Sequence, residues 1–377
     1  MKKPIVVNYF QKYMEKILLS RLINHGLCHS SLKDPYEVVK HMMCTQAQDF
    51  NQHQWAIASR VAGSCTFQDI EKAYNQGKIV KTWTQRGTIH CVAAEDAWWV
   101  VKLCASKTLK GFKKRRDYLG ISDELCDKAL TSIQKMLSGR KILTRKEIIH
   151  NLTEAWIDMQ TGRGYHLLCY AASLGIVVQW PIKNKDHAFV LVKDRIPQVK
   201  QLTEEESLKE LTLRYFISHG LATVKDFARW SGLWITQIKK WIELCDKLLN
   251  SEEIDGQNYY FAQEHSATIS DYKKYIPKSP YISLLAGFDE FLLGYKDRTA
   301  TLEIDHHVLV DTSRNGIFKP TLMIDGKTLA TWSVKHKTKV SELTVKSFTK
   351  LSDEDFKILE KAVQNYWKTI EKDVILS

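Results

Sequence analysis

Three segments of this chain repeat one order of elements, and that repetition limits the fold more than any other feature of the sequence. In each, an amphipathic helix, a short turn and a second helix precede β-prone residues able to form a wing. In the first, Asp34-Pro35 opens a helix through Val38, Val39, Met42 and Met43. Asp49 then caps a second helix through Trp55 and Val61, and the β-prone run 88–92 comes later. In the second, Thr144 and Glu147 form a capping box that opens a helix toward Trp156. The turn Gly162-Arg163-Gly164 leads into a helix over 165–174, and the runs 176–180 and 188–192 flank the polar loop 183–186 as a hairpin. In the third, which begins near Leu208, Thr223 and Asp226 form another box, Trp230-Ser231-Gly232-Leu233 is the turn, and Ile235–Leu244 is the second helix. From Pro280 onward short β-prone runs with Asn315-Gly316 and Asp325-Gly326 turns precede a final helix, Asp353–Ile370. The expected fold is mainly α with β wings: three tandem winged helix-turn-helix units over 1–115, 116–202 and 203–278, then a small β-rich C-terminal portion over 279–377.

Length and charge narrow the function classes. At 377 residues the chain has room for two or three units of about 150 residues, so a sizeable buried core is expected. Fifty-five Lys and Arg against 43 Asp and Glu leave a formal charge of +12, which favours a polyanionic partner. No apolar run approaches the roughly 20 residues of a membrane span, and the opening MKKPIVVNYF breaks off too early for a signal peptide. The eight cysteines contain no Cys-x-x-Cys pair, so reduced thiols are expected; no zinc-deaminase pattern occurs, and His306-His307 has no nearby Cys. The expectation is a monomer without metal or cofactor, working in the cytoplasm on the nucleoid.

A helix-turn-helix lays its second helix in a DNA groove while nearby Lys and Arg neutralise phosphates, so double-stranded DNA is the expected partner. The densest basic cluster is Lys113-Lys114-Arg115-Arg116; Arg145, Lys146, Arg163, Lys239, Lys240, Arg298, Arg314 and Lys319 extend the set. For the 113–116 run a solvated face is the alternative, and Arg145, Lys146 and Arg163 are weaker versions of the same idea. Trp98-Trp99 has the spacing of core packing rather than of a stacking platform.

Gln46-Ala47-Gln48 falls where the first helix of segment one gives way to its turn. Residues two apart in a regular helix point about 200° away from each other, so the pair converges on one target only where a helix ends or begins. On the residues alone the alternative stays open that Gln48 pairs with Thr45 as a capping box and Gln46 is merely exposed. Phe288-Asp289-Glu290 sets charges among apolar residues, as an internal salt bridge or a catalytic carboxylate would.

These residues resemble a known family, the AlkZ-type DNA glycosylases, whose relatives include the YcaQ-like interstrand-crosslink glycosylases. The resemblance rests on three stretches in order: 41–49 (HMMCTQAQD), 85–90 (QRGTIH), and 287–298 (GFDEFLLGYKDR) followed by 315–320 (NGIFKP). It implies three winged helices around a basic channel and a Gln-x-Gln catalytic motif, here Gln46 and Gln48, where the YcaQ-like branch has Gln-x-Asp. Arg86, His90 and Asp289 are then expected to line the same site. It also implies hydrolysis of alkylated purines, N7-alkylguanine or N3-alkyladenine and interstrand crosslinks among them, in duplex DNA without strand cleavage. The stretch 279–286 departs from the family's proline-containing lead into Phe-Asp-Glu. From another class, the rival is a non-catalytic tandem winged-helix DNA-binding protein or regulator; a third reading gives the base role to Asp289 or Glu290.

Overall fold

Thr144 and Thr223 play one role twice in the computed structural model. Each ends a two-residue strand, Leu143–Thr144 and Ala222–Thr223, and each caps the helix after it, Arg145–Glu154 and Val224–Ser231. Thr144 Oγ1 accepts from the Glu147 N–H at 3.2 Å while the Glu147 carboxylate accepts from the Thr144 N–H at 2.6 Å. Thr223 and Asp226 exchange the same bonds at 3.1 and 2.9 Å. These boxes satisfy N–H groups that a helix start leaves open. A second helix comes after each, Arg163–Ser173 and Ile235–Leu244, and then an antiparallel hairpin, Val177–Lys183 with Asp186–Leu191 and Leu249–Ile254 with Gln257–Ala262. In both places the short strand pairs with the hairpin's second strand. The helix from Arg145 ends at Glu154; Trp156 lies outside the described residues, as does the 184–185 tip of the first hairpin.

The structure describes residues 5–155, 159, 162–183, 186–196, 199–263, 271, 274–275, 281–312, 316–337, 340–351, 353–371 and 373–376. They belong to two compact units, one of residues 71–208 and one that joins 1–70 to 209–377. The architecture is mixed α/β, helices with antiparallel sheets. Among the described residues no helix is long and apolar enough to cross a membrane.

In unit 71–208 the hairpin Ile79–Trp83 and Ile89–Ala93 joins the Val177–Leu191 hairpin where Lys81 stands opposite Gln179. Helices Ala97–Tyr118, Asp123–Leu137, Arg145–Glu154 and Arg163–Ser173 accompany this sheet, and Ile133, Leu152, Leu167, Leu168 and Phe189 are buried in one cluster. Lys81 is 3% exposed, and its Nζ lies 2.6 Å from His187 Nε2. Burial lowers the Lys81 ammonium to about 7 and His187 to about 3, so the neutral imidazole accepts the bond. The unfolded chain keeps its lysine proton up to about 10.5, whereas the folded chain releases it from about pH 7. The unfolded state therefore holds more protons above pH 7, and this residue's contribution to stability increases with pH. We expect Lys81→Met to melt at a higher temperature than wild type at pH 7, by an interval that shrinks toward pH 8.5. An interval independent of pH in thermal melts would contradict this.

In the other unit, Ile282–Leu285, Thr321–Ile324, Lys327–His336 and Val340–Ser347 pair antiparallel in that order, and Asp373–Leu376 adds a parallel strand. Asp325 and Gly326, at φ 48° and 83°, make the expected turn of the second pairing. The final helix is Asp353–Ile370, where Tyr366 meets Trp55 and Trp332 edge to face at 4.9 and 5.1 Å. Both indoles donate to the first strand: Trp55 Nε1 to Leu284 O and Trp332 Nε1 to Leu285 O, each at 2.8 Å. That strand leads directly into Gly287-Phe288-Asp289-Glu290. Of the expected turns, Asn315-Gly316 cannot be described because Asn315 lies outside the described residues.

Candidate active site

Helix Pro35–Met42 stops abruptly, and the stop sets the direction in which the chain continues. Met43 sits at φ 68°, ψ −55°, and the Cys44 N–H donates to Met42 O at 2.8 Å, closing a γ-turn of the strained hand. The chain leaves this turn extended through Thr45–Gln46. Thr45 and Ala47 are buried, Gln46 is half-buried and Gln48 is exposed. A period of two, absent from a helix, puts both glutamines on one face. Gln46 Nε2 donates to Gln48 Oε1 at 2.5 Å. Gln48 does not take the alternative capping role: Thr45 Oγ1 is buried without a hydrogen-bond partner, and Asp49 caps helix Phe50–Ala58 by accepting from the Gln52 N–H at 3.1 Å. With the two amides joined, one carbonyl edge and one NH2 edge remain to address a ligand, whichever of the pair donates.

The motif and the stretch 50–60 after it are tied at three points to a segment more than two hundred residues away in the chain. Gly287 N–H donates to Gln52 Oε1 at 2.8 Å, Arg60 grips Asp289, and the Gln46 N–H donates to Glu290 Oε1 at 3.3 Å. The Arg60–Asp289 pair is bidentate, at 2.6 and 3.0 Å, with both residues 2% exposed. Asp289 Oδ1 also accepts the Phe291 N–H at 2.9 Å and caps the short helix Glu290–Leu293. Asp289, expected to line the site, is therefore engaged inside the fold. Its neighbour Glu290, 3% exposed, is the carboxylate that reaches the motif, and its Oε2 accepts from Trp230 Nε1 at 3.0 Å.

Behind Glu290 lies an aromatic and histidine stack. His219 is stacked on Tyr215 with centroids 4.6 Å apart, and its Nε2 lies 3.9 Å from Glu290 Oε2, too far for a hydrogen bond. Burial holds His219 below its ordinary value, with Glu290 opposing, so the ring is neutral at pH 7. His25 is lowered well below by burial and by the neighbouring His219. Tyr295 gives its hydroxyl hydrogen to His219 O at 3.0 Å and thus accepts from His25 Nε2–H at 2.8 Å. A Cβ at Gly294 would lie 2.5 Å from His219 Cδ2 and 2.6 Å from Glu290 O, so the packing of this stack admits only glycine there.

The family description for AlkZ-like DNA glycosylases matches residues 39–368, a span that takes in the glutamine motif, Arg60, His219 and the Gly287–Gly294 segment. The chain belongs to the AlkZ-like DNA glycosylase family. An interstrand DNA cross-link repair glycosylase from Streptomyces sahachiroi is 23% identical over 311 residues, 79% of this chain and 81% of that protein. The solved DNA glycosylase AlkZ of the same organism superposes with a TM-score of 0.79 at 20% identity, covering 96% of this chain and 99% of that one, a likeness of fold. The protein is a DNA glycosylase, and the remaining expected residues can be placed on its two units.

In unit 71–208, Arg86 is half-buried at φ 55° in the turn Gln85–Gly87. His90, expected beside it in the site lining, is fully buried, with Nδ1 3.0 Å from both Thr84 Oγ1 and Thr88 O, and closes that turn from within. Lys113, Lys114 and Arg115 are exposed on the last turns of Ala97–Tyr118. Arg116 is a tether: it pairs with Asp123 at 3.1 Å and lies over the Tyr170 ring at 4.7 Å. Arg145 and Lys146 are exposed, while Arg163 is half-buried and donates to Leu119 O at 2.8 Å. In the other unit Lys239 and Lys240 are exposed on Ile235–Leu244, and Lys319 is exposed with Nζ 3.2 Å from Leu309 O. Arg298 donates to Leu292 O at 2.6 Å and lies over Phe318 at 4.9 Å. Arg314 lies outside the described residues. Among the described residues no group of three or more His, Cys, Asp or Glu is placed to hold a metal ion.

Proposed function

We propose that this glycosylase hydrolyses the N-glycosidic bond of N-alkylated purines in duplex DNA, with Gln46 and Gln48 orienting the attacking water. The observation that carries the reading is the joined pair of amides, presented on one face at the end of a strained turn. An N7-alkylpurine already carries positive charge on the base, which weakens its bond to C1′. Little general-base catalysis is then required, and placing water against an oxocarbenium-like centre supplies most of what the reaction needs. The water is held by an amide carbonyl; its oxygen bonds to C1′, the C1′–N electron pair leaves with the base, and a proton passes to solvent. No lysine enters as a nucleophile, so the strand stays intact.

The relative named for interstrand cross-link repair supports extending the substrate to cross-linked purines. The two stretches of helix, turn, helix and hairpin, 145–191 and 224–262, serve as winged-helix grips. Their exposed Arg145, Lys146, Lys239 and Lys240, together with Lys113, Lys114, Arg115 and Lys319, suit phosphate contacts.

The experiment is a duplex carrying one N7-methylguanine, and a second carrying one N7–N7 alkyl crosslink. We expect free base from the first and unhooking of the second, with strands cut only after alkali. Binding should weaken with salt at a log–log slope of about −0.9 per neutralised phosphate. Absence of base release from both duplexes would overturn the reading.

A further inference from the structure

We propose that Glu290 is the positioning residue of the glutamine motif, holding Gln46 through its backbone rather than taking part in the chemistry. The inference rests on the reading of Gln46 and Gln48 as the catalytic pair. The main chain of Gln46 bonds to a carboxylate 244 residues on in sequence. The two oxygens of Glu290 face different donors: Oε1 takes the Gln46 N–H at 3.3 Å and Oε2 takes Trp230 Nε1 at 3.0 Å. One rigid indole thus fixes the carboxylate, and the carboxylate fixes the strand that carries the amide. The indole is itself fully buried, packed against Tyr215 with centroids 4.9 Å apart.

The carboxylate's own backbone is as firmly set. Arg60 and Asp289 lock the residue before it, Gln52 holds Gly287, and Gly294 lets His219 close over the far end of the short helix. Only a carboxylate can accept from both the indole and the strand with equivalent oxygens. An amide in its place offers one acceptor and one donor, so one of the two N–H groups would face another N–H. Buried polar groups left in that state lose their bond and its orientation together.

The arrangement predicts a rescue. Glu290→Gln should release base roughly tenfold or more slowly in single-turnover reactions on N7-methylguanine DNA, with DNA affinity within about twofold of wild type. Removing the indole donor ends the conflict, because the substituted amide can then turn its carbonyl to the Gln46 N–H. Glu290→Gln/Trp230→Phe should therefore be faster than Glu290→Gln, although Trp230→Phe alone is slower than wild type. A double variant no faster than Glu290→Gln, or a Glu290→Gln variant at wild-type rate, would overturn the proposal. A carboxylate acting as the base would leave both variants inactive and abolish the acid limb of the pH–rate profile, which also overturns it. The Gln46→Ala/Gln48→Ala enzyme, run on the same duplex, tests the underlying reading separately. If that enzyme keeps wild-type activity, the catalytic role of the glutamines fails whatever Glu290 does.

Discussion

Asp289→Ala is expected to destabilise the protein by about 3–5 kcal/mol, a fall in melting temperature on the order of ten degrees. The reason is the charge left behind. Arg60 and Asp289 are each 2% exposed, and the carboxylate receives both guanidinium nitrogens at 2.6 and 3.0 Å. Truncating the carboxylate leaves a buried guanidinium that still donates to Ala56 O at 2.7 Å but has lost the anion opposite it. It also removes the acceptor that caps Phe291. Replacing both partners with apolar residues avoids the unpaired charge, so Arg60→Met/Asp289→Leu should be less destabilised than Asp289→Ala. Thermal melts of the three proteins decide the matter. A direct catalytic role for Asp289 would give the opposite pattern, lost base release at wild-type stability.

The local signals in the sequence were strong wherever one residue could bond to its near neighbours. Thr144 with Glu147, Thr223 with Asp226, and Asp49 before Phe50 all cap the helices expected of them. The hairpin around 184–185 and the helix Asp353–Ile370 arise from apolar spacing and turn residues in the same way. What escaped is long-range. Nothing in the spacing around Gln46 announces a bond to Glu290, nor does anything near Trp230 point to the same carboxylate, because those partners are brought together only by packing. Asp289 and Glu290 are adjacent in sequence and look equivalent there; the fold separates them, one toward Arg60 and the other toward the motif. Charge alone groups Arg116 with Lys113, Lys114 and Arg115, whereas its planar fork is taken by Asp123 and Tyr170 inside the unit.

The glutamine pair itself was legible as a motif but not as a geometry. Helical spacing would have set the two side chains apart, and the left-handed residue at Met43 is what converts the segment to extended backbone. A methionine gives no hint of a positive φ, since glycine or asparagine is the usual occupant. The resemblance to the family implies a catalytic role for the pair, and the structure supplies the reason that the two amides meet.

The largest effect on activity is expected from that pair. Each amide orients the other, so Gln46→Ala or Gln48→Ala alone should remove much of what the double variant removes, and the two losses should not add. The most direct test is single-turnover release of free base from an N7-methylguanine duplex, comparing wild type with Gln46→Ala/Gln48→Ala while DNA affinity and melting temperature are measured in parallel. If the joined amides hold the water, the rate of release falls by about a hundredfold or more, with affinity and stability near wild type. A double variant that releases base at the wild-type rate would contradict that role and move the chemistry elsewhere in the fold.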